Sequence, residues 1–262
     1  VHPIEHLRFM AQAGEVDSEF LIAEAALALS QVAFDRAELV LACRQLLEHR
    51  PASGPLVWLA ARMVSGADPY LDGVDASESI RRDKTPRELH AAIADGSRVV
   101  IAGAPELSSR VLADRADLTV LVVDGNGDGQ GLVHRLAVAD HDVEDVPVAA
   151  LASAVASADL VLLEAEALGP DAALAPVGSL AAATAGSSLG CPVWMVAGVG
   201  RKLPAGMWSL LTQQLVTSTP WRQTVEVVPL EFCDRLVTPA GLQPVTQAAV
   251  GSDCPLVPEL FR

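Results

Sequence analysis

Between Phe20 and Ile93 the apolar residues recur at intervals of three and four; from Arg98 onward they gather into short runs that are apolar at nearly every position. The first pattern predicts amphipathic helices. Asp17 or Ser18 can cap one, with Phe20, Leu21, Ala25, Leu27 and Ala28 as its apolar positions. Asp35, with Glu38 three residues on, resembles a capping box and opens a second helix carrying Leu39, Val40, Cys43, Leu46 and Leu47 as far as Arg50-Pro51. Pro55 opens a third, Leu56 to Val64, closed by Ser65-Gly66. The stretch from Gly66 to Lys84 is polar, lacks a clear period and reads as a loop. Thr85-Pro86-Arg87-Glu88 then supplies a cap, a first-turn proline and a glutamate at N3 for a helix that turns Leu89 and Ile93 inward and ends at Gly96.

The second pattern predicts strands at 98–102, 119–123, 134–138, 160–163, 193–197 and 224–228, with helices near 106–113, 148–158, 177–187 and 207–217 between them. Runs apolar at nearly every position suit strands covered on both faces, and the alternation is that of βαβ units. The fold expected is α/β: a helical N-terminal domain over residues 1–96 and a Rossmann-like, mostly parallel sheet domain over residues 97–262.

Composition narrows the partners. Lys+Arg 18 against Asp+Glu 33 leave a net charge of −15, which excludes the basic face a nucleic-acid binder needs. No run of about 18 apolar residues offers a membrane span, and Val1-His2-Pro3-Ile4-Glu5 has neither the basic nor the apolar part of a secretory signal. Cys43, Cys191, Cys233 and Cys254 lie far apart and form no CxxC pair, so no metal site is expected and a reducing cytoplasm is the simplest compartment. Lys84 and Lys202 are the only lysines, and this arginine-for-lysine bias, with heavy use of Ala, Val and Gly, suggests a GC-rich bacterial genome.

Three apparent motifs fail on context. Asp124-Gly125-Asn126-Gly127-Asp128-Gly129 begins like a calcium loop, but its twelfth position is Arg135 and it follows a strand. Gly186-Ser187-Ser188-Leu189-Gly190 matches the nucleophile-elbow string in the wrong order, helix into strand. Gly103-Ala104-Pro105 is not a dinucleotide fingerprint. Other features are compatible with either a site or an ordinary loop. Gly198-Val199-Gly200-Arg201-Lys202, at the end of a strand, could cradle a phosphate with its amides and two cations, or be a plain basic loop. Glu166, just past strand 160–163, could accept sugar hydroxyls or a proton, or be a solvated acid. His134 sits in or beside a strand, where packing is the simpler role.

Arg50-Pro51-Ala52-Ser53-Gly54-Pro55 with its following helix resembles the Arg-Pro-Thr helix of the translation initiation factor 2B alpha/beta/delta subunit family, which includes methylthioribose-1-phosphate isomerase and ribose-1,5-bisphosphate isomerase. The run from Ala158 to Pro170 resembles that family's "VDLVLVGADAIGPDG", Pro176-Val177-Gly178-Ser179-Leu180 and Cys191 to Ala197 its "KIGTY … VPVYVAA", and Pro258-Glu259-Leu260-Phe261 its "TPPELI". Order and spacing over residues 50–262 carry the resemblance. It implies a helical domain, a NagB/RpiA/CoA-transferase-like sheet domain, assembly into dimers or larger oligomers, and a phosphorylated sugar or nucleotide bound between the domains. By that resemblance Arg50 would grip phosphate, Gln130-Gly131 would touch substrate, and Glu166 would stand where the isomerases carry their catalytic Asp; Gly178-Ser179 and the 198–202 loop are counted with them as ligand-binding candidates.

The departures are equally specific. The family's catalytic Cys falls on Gly103 or Ala104, its phosphate-holding Asn-Lys on Ala175-Pro176, and the arginine of its "ETRP" loop near Gly127. General acid–base catalysis is worth about 10²–10⁴-fold, so losing the thiol alone would cripple the isomerisation. The expectation is therefore a catalytically depleted binder of a sugar phosphate or nucleotide, or an assembly subunit, needing no cofactor. The alternatives are an aldose-1-phosphate isomerase using Glu166 with Asp124, and a structural subunit with no ligand.

Overall fold

The structure, a computed structural model, describes residues 17–248 and 251–262; the opening Val1-His2-Pro3-Ile4-Glu5 lies outside them. Helices α1 (Ser18–Ser30), α2 (Arg36–His49), α3 (Gly54–Ser65), α4 (Pro69–Arg81) and α5 (Thr85–Ala92) come first. Asp17 caps α1 by accepting from the Glu19 amide, Asp35 caps α2 through Ala37 and Glu38, and Ser53 caps α3 through Leu56. The expected loop over 66–84 is instead mostly α4, with Asp68 as its cap. Its apolar face escapes periodicity because only Gly73 and Ala76 are buried: a Cβ on Gly73 would lie 3.3 Å from both Ala26 and Met63, so the helix packs through small residues. Thr85 does not cap α5. Asp83 does that work, accepting from the Thr85 amide at 2.8 Å and its hydroxyl at 2.7 Å. On α1 the buried stripe is Leu21, Ile22, Ala25, Ala26, Ala28 and Leu29, leaving the expected core residues Phe20 and Leu27 53% and 57% exposed.

The α/β half follows: β1 (Arg98–Ala102), α6 (Glu106–Ala113), β2 (Thr119–Val123), α7 (Gly129–Val138), β3 (Asp142–Val146), α8 (Leu151–Ala156) and β4 (Leu160–Glu164). After it come β5 (Ala167–Leu168), β6 (Ala172–Pro176), α9 (Ser179–Leu189), β7 (Val193–Val196), α10 (Ala205–Gln214), β8 (Val225–Pro229), β9 (Arg235–Thr238), β10 (Gly241–Pro244) and the short α11 (Val245–Ala248). Seven strands form one sheet in the order β10-β9-β7-β4-β1-β2-β3, parallel except for the β9–β10 pair. β5, β6 and β8 form a separate antiparallel sheet. The strand expected at 134–138 is the second half of α7, where Leu132 and Leu136 are buried one turn apart; His134 is on that helix. The true third strand, Asp-Val-Glu-Asp-Val, is an edge strand that buries only Val146, and its charges protect an open edge from pairing with other chains.

The mixed α/β architecture with a mostly parallel sheet matches the class expected. The helices and the small antiparallel sheet share one interior where they meet. Leu56, Trp58 and Met63 of α3 belong to the same buried cluster as Ala172 and Leu174 of β6, Met207 and Leu211 of α10, and Cys254, Val257 and Leu260 of the tail.

Candidate functional site

Chain order places the site. From β1 the chain steps outward through β2 and β3, then returns to the other side of β1 as β4, so the carboxyl ends of β1 and β4 flank a topological switch point. Open α/β sheets bind ligands in the crevice such a reversal leaves. Here it is a cleft of 380 Å³, closed on its far side by the turn after α2 and by the start of α1. That volume suits a small metabolite.

Arg50 lines the cleft from the end of α2. The turn after it is locked to the sheet: the Gly54 amide donates to the Glu166 carbonyl at 2.9 Å, and a Cβ on Gly54 would sit 2.7 Å from that oxygen. Only glycine permits the approach. Glu166, between β4 and β5, lines the same cleft. Burial pushes its carboxyl above the ordinary range, although Arg201 and Arg50 pull the other way. Among the described residues, no donor makes a hydrogen bond to the Glu166 carboxylate. Asp124, the third expected residue to line the cleft, turns its carboxylate onto the backbone and accepts from Asn126, Gly127 and Gly129 at 2.8–3.0 Å, closing the start of α7.

The remaining expected residues are not brought together. Gln130 and Gly131 lie in the first turn of α7, Gln130 exposed, and neither lines the cleft. Gly178, at φ +101°, precedes α9, and its amide and that of Leu180 both donate to Glu226 at 2.8 Å; Ser179 is buried behind them. The 198–202 loop does not offer the cationic cradle its sequence suggests. The Val199 amide donates to Asp83 at 2.9 Å, and a Cβ on Gly198 would meet that same carboxylate. Gly200, at φ +76°, packs against Trp58. Arg201 points inward, 3% exposed, paired with Glu164 at 3.1 Å and donating to the Ala165 carbonyl at 2.5 Å. Lys202 lines a separate pocket of 190 Å³ beside Leu168 and Pro204.

Sequence reasoning missed the acids that face the cleft from other elements. Glu106, in the first turn of α6, accepts from the Ser18 amide at 3.1 Å and its hydroxyl at 2.5 Å, and Asp17 lies beside it. Burial and a hydrogen bond shared with Asp17 raise the Glu106 carboxyl to about 7. Asp17 lies below its ordinary value: burial pushes it up, but Glu106, the Glu19 amide and Arg110 together outweigh that. No local pattern marks Glu106 in the sequence beyond its place directly after the Gly103-Ala104-Pro105 loop.

The raised Glu106 has a signed consequence for stability. Its neutral form is favoured by folding, so the stabilisation is complete below about pH 4.5, the unfolded value, and is lost as pH rises through about 7. Unfolding free energy should fall by on the order of 2 kcal/mol between pH 5.5 and 8, and Glu106→Gln, which can still donate to Asp17, should flatten that slope. Urea melts across that range test it; an unchanged slope in Glu106→Gln contradicts the assignment.

The thiols stand apart from all of this. Cys43, Cys191, Cys233 and Cys254 are buried and none lines the cleft. Burial pushes Cys43, Cys233 and Cys254 up to about 12, so they are inert as nucleophiles or acid–base groups. Gly103 and Ala104, where the resemblance would put a catalytic thiol, do line the cleft, and so does Pro176, where it would put a lysine.

No protein-family model and no curated protein matches the sequence. Solved structures do. Translation initiation factor eIF-2B from Pyrococcus horikoshii OT3 aligns with a TM-score of 0.74 at 14% identity, over 94% of this chain and 98% of that one. The beta subunit of eIF2B from Chaetomium thermophilum aligns at 0.69 and 17% identity, over 98% of this chain and 91% of that one. A chain of the tetrameric eIF2B beta2-delta2 complex from the same organism aligns at 0.71 and 18%, over 94% and 92%. At these identities what is shared is the fold, over nearly the whole of both chains.

Proposed function

We propose that this chain, which has the fold of initiation factor 2B subunits, is a catalytically depleted member of their family. It binds a small phosphorylated metabolite, a sugar phosphate or nucleotide, in the switch-point cleft. Arg50 takes the phosphate and Glu166 accepts from hydroxyls. One observation supports this above the rest: Arg50 and Glu166, 116 positions apart, line a single cleft that contains no thiol. The reading includes a cytoplasmic location and assembly as a homodimer, in keeping with the oligomeric beta2-delta2 relative.

Loss of the thiol at Gly103-Ala104 is what depletes the catalytic machinery. Proton transfer by a positioned side chain is worth about 10²–10⁴-fold, and neither Gly103 nor Ala104 carries an acid–base group at the position where the resemblance puts the thiol. An isomerase built on Glu166 with Asp124 is the second reading, since both line the cleft. It is the weaker one because the Asp124 carboxylate already accepts three backbone amides. Thermal melts with ribose 1-phosphate, methylthioribose 1-phosphate and AMP test the proposal. A bound ligand at 100 times its Kd should add about 2.7 kcal/mol, and Arg50→Gln should abolish the shift. Absence of any shift in the parent chain sinks it, and product formed from either sugar phosphate, lost in Glu166→Gln, would install the isomerase in its place.

A further inference from the structure

The geometry points to a proton-operated latch in the wall of the cleft: Glu106 of α6 shares one proton with Asp17, and the pair holds the first turn of α1 onto the sheet half while the proton is bound and releases it when the proton leaves. This goes beyond the proposed function and needs no ligand. Ser18 gives Glu106 both its amide, at 3.1 Å, and its hydroxyl, at 2.5 Å. The Asp17 side chain meets the Glu106 carboxyl on one side and the Arg110 guanidinium on the other. These contacts tie the start of α1 to α6, and Asp17, Ser18 and Glu106 all line the cleft. The rest of α1 is fixed elsewhere, since Leu21, Ile22 and Ala25 are buried in the helical interior. Release therefore frees one turn and leaves the helix in place.

Charge balance decides what the proton does. Among the described residues, the cluster around Glu106 sets three carboxylates, Asp17, Glu106 and Glu164, against two guanidiniums, Arg110 and Arg201. Both cations are committed to other acids. Arg110 pairs with Asp17 and stands 3.7 Å from Glu106, while Arg201 pairs with Glu164 at 3.1 Å and reaches Glu106 at 3.4 Å. One negative charge is left over, and a proton on Glu106 neutralises it. With that proton Glu106 donates to the Asp17 carboxylate; without it two anions stand in contact and repel. Among the described residues, the ionisable groups beyond the cluster add no net positive charge. Glu19, Arg81 and Asp83 line the small pocket alongside, with Arg81 paired to Glu78 at 2.6 Å and Asp83 accepting from the Thr85 and Val199 amides. Arg50, Asp124, Asp128 and Glu166 line the rest of the cleft. Burial, with the hydrogen bond to Asp17, holds the Glu106 carboxyl up at about 7, so the latch works near neutrality.

Hydrogen exchange of the full chain at pH 6 and pH 8, corrected for the intrinsic rate, tests the latch on the stretch from Asp17 to Leu21. With the closed form titrating at about 7 and the open form at the ordinary 4.5, the opening constant should rise about tenfold over that interval. The stretch should also exchange faster at both pH values than β1 around Ile101, which opens with the whole fold. Glu106→Gln, whose amide donates to Asp17 at either pH, should hold the change below about twofold. Asp17→Asn keeps the acceptor for the Glu19 amide, removes one of the three acids, and should move the fall in protection to lower pH. Equal protection at pH 6 and pH 8 in the parent chain, or opening no readier than that of β1, overturns the latch. A tenfold change that survives in Glu106→Gln, or a midpoint unmoved in Asp17→Asn, overturns it as well, because either places the proton on another group.

Discussion

Arg201→Met should lower the unfolding free energy by about 3–5 kcal/mol, the range expected when one partner of a buried ion pair is removed. Arg201 and Glu164 are each 3% exposed, with nitrogen and oxygen 3.1 Å apart. Glu164 also accepts from the amides of Leu107 and Ser108 and from the Ser108 hydroxyl at 2.8 Å, so its charge cannot turn away to water when the guanidinium goes. The Ala165 carbonyl and Glu106 lose a donor in the same step. Adding Glu164→Gln to Arg201→Met should recover more than half of the loss, because the two side chains share one network and their effects do not add. Urea denaturation of the two single variants and the double variant measures this; a loss under about 1 kcal/mol in Arg201→Met would show that the pair is structurally idle.

Trp58→Ala should cost a similar amount, about 3–5 kcal/mol, for a different reason. Trp58 is fully buried on α3, in the cluster the helices share with the small antiparallel sheet, where a Cβ on Gly200 would come within 2.9 Å of its ring. Arg62 stacks over the ring at 5.0 Å while pairing with Asp75 at 2.5 Å, so truncation also unseats a cation. Trp58→Phe should be much milder. Among the described residues the indole Nε1 is buried without a hydrogen-bond partner, and phenylalanine removes that orphan together with part of the ring volume. Equal losses in both variants would contradict this account of the cluster.

The elements most legible in the sequence are those whose burial is large and regular. β1 and β2 fall at 98–102 and 119–123, as their uninterrupted β-branched runs predict, because both are covered on two faces in mid-sheet. Legibility fails where burial is slight or carried by small side chains. α4 faces its neighbours through Gly73 and Ala76, and β3 buries little besides Val146. β6, Ala-Ala-Leu-Ala-Pro, looks like helix or loop locally and becomes a strand because β8 pairs with it across 53 residues. At the site, Arg50, Asp124 and Glu166 were visible because each ends an element whose position was readable. Asp83, Glu106 and Glu226 were not, since a carboxylate covering amides remote in sequence has no local signature.

The tail has a mechanical consequence. It leaves the sheet after β10 and α11 and does not end there: Cys254, Val257 and Leu260 insert among the residues of α2, α3 and α10, while Glu259 holds Arg36 at 2.6 Å and takes the Arg44 Nε through its carbonyl at 2.8 Å. A pull applied at Arg262 is therefore transmitted first to the helical layer of α2 and α3, and only afterwards to the strands the tail follows. Peeling would begin by uncorking the seam beneath α2, so that this strap sets how easily the helical layer opens.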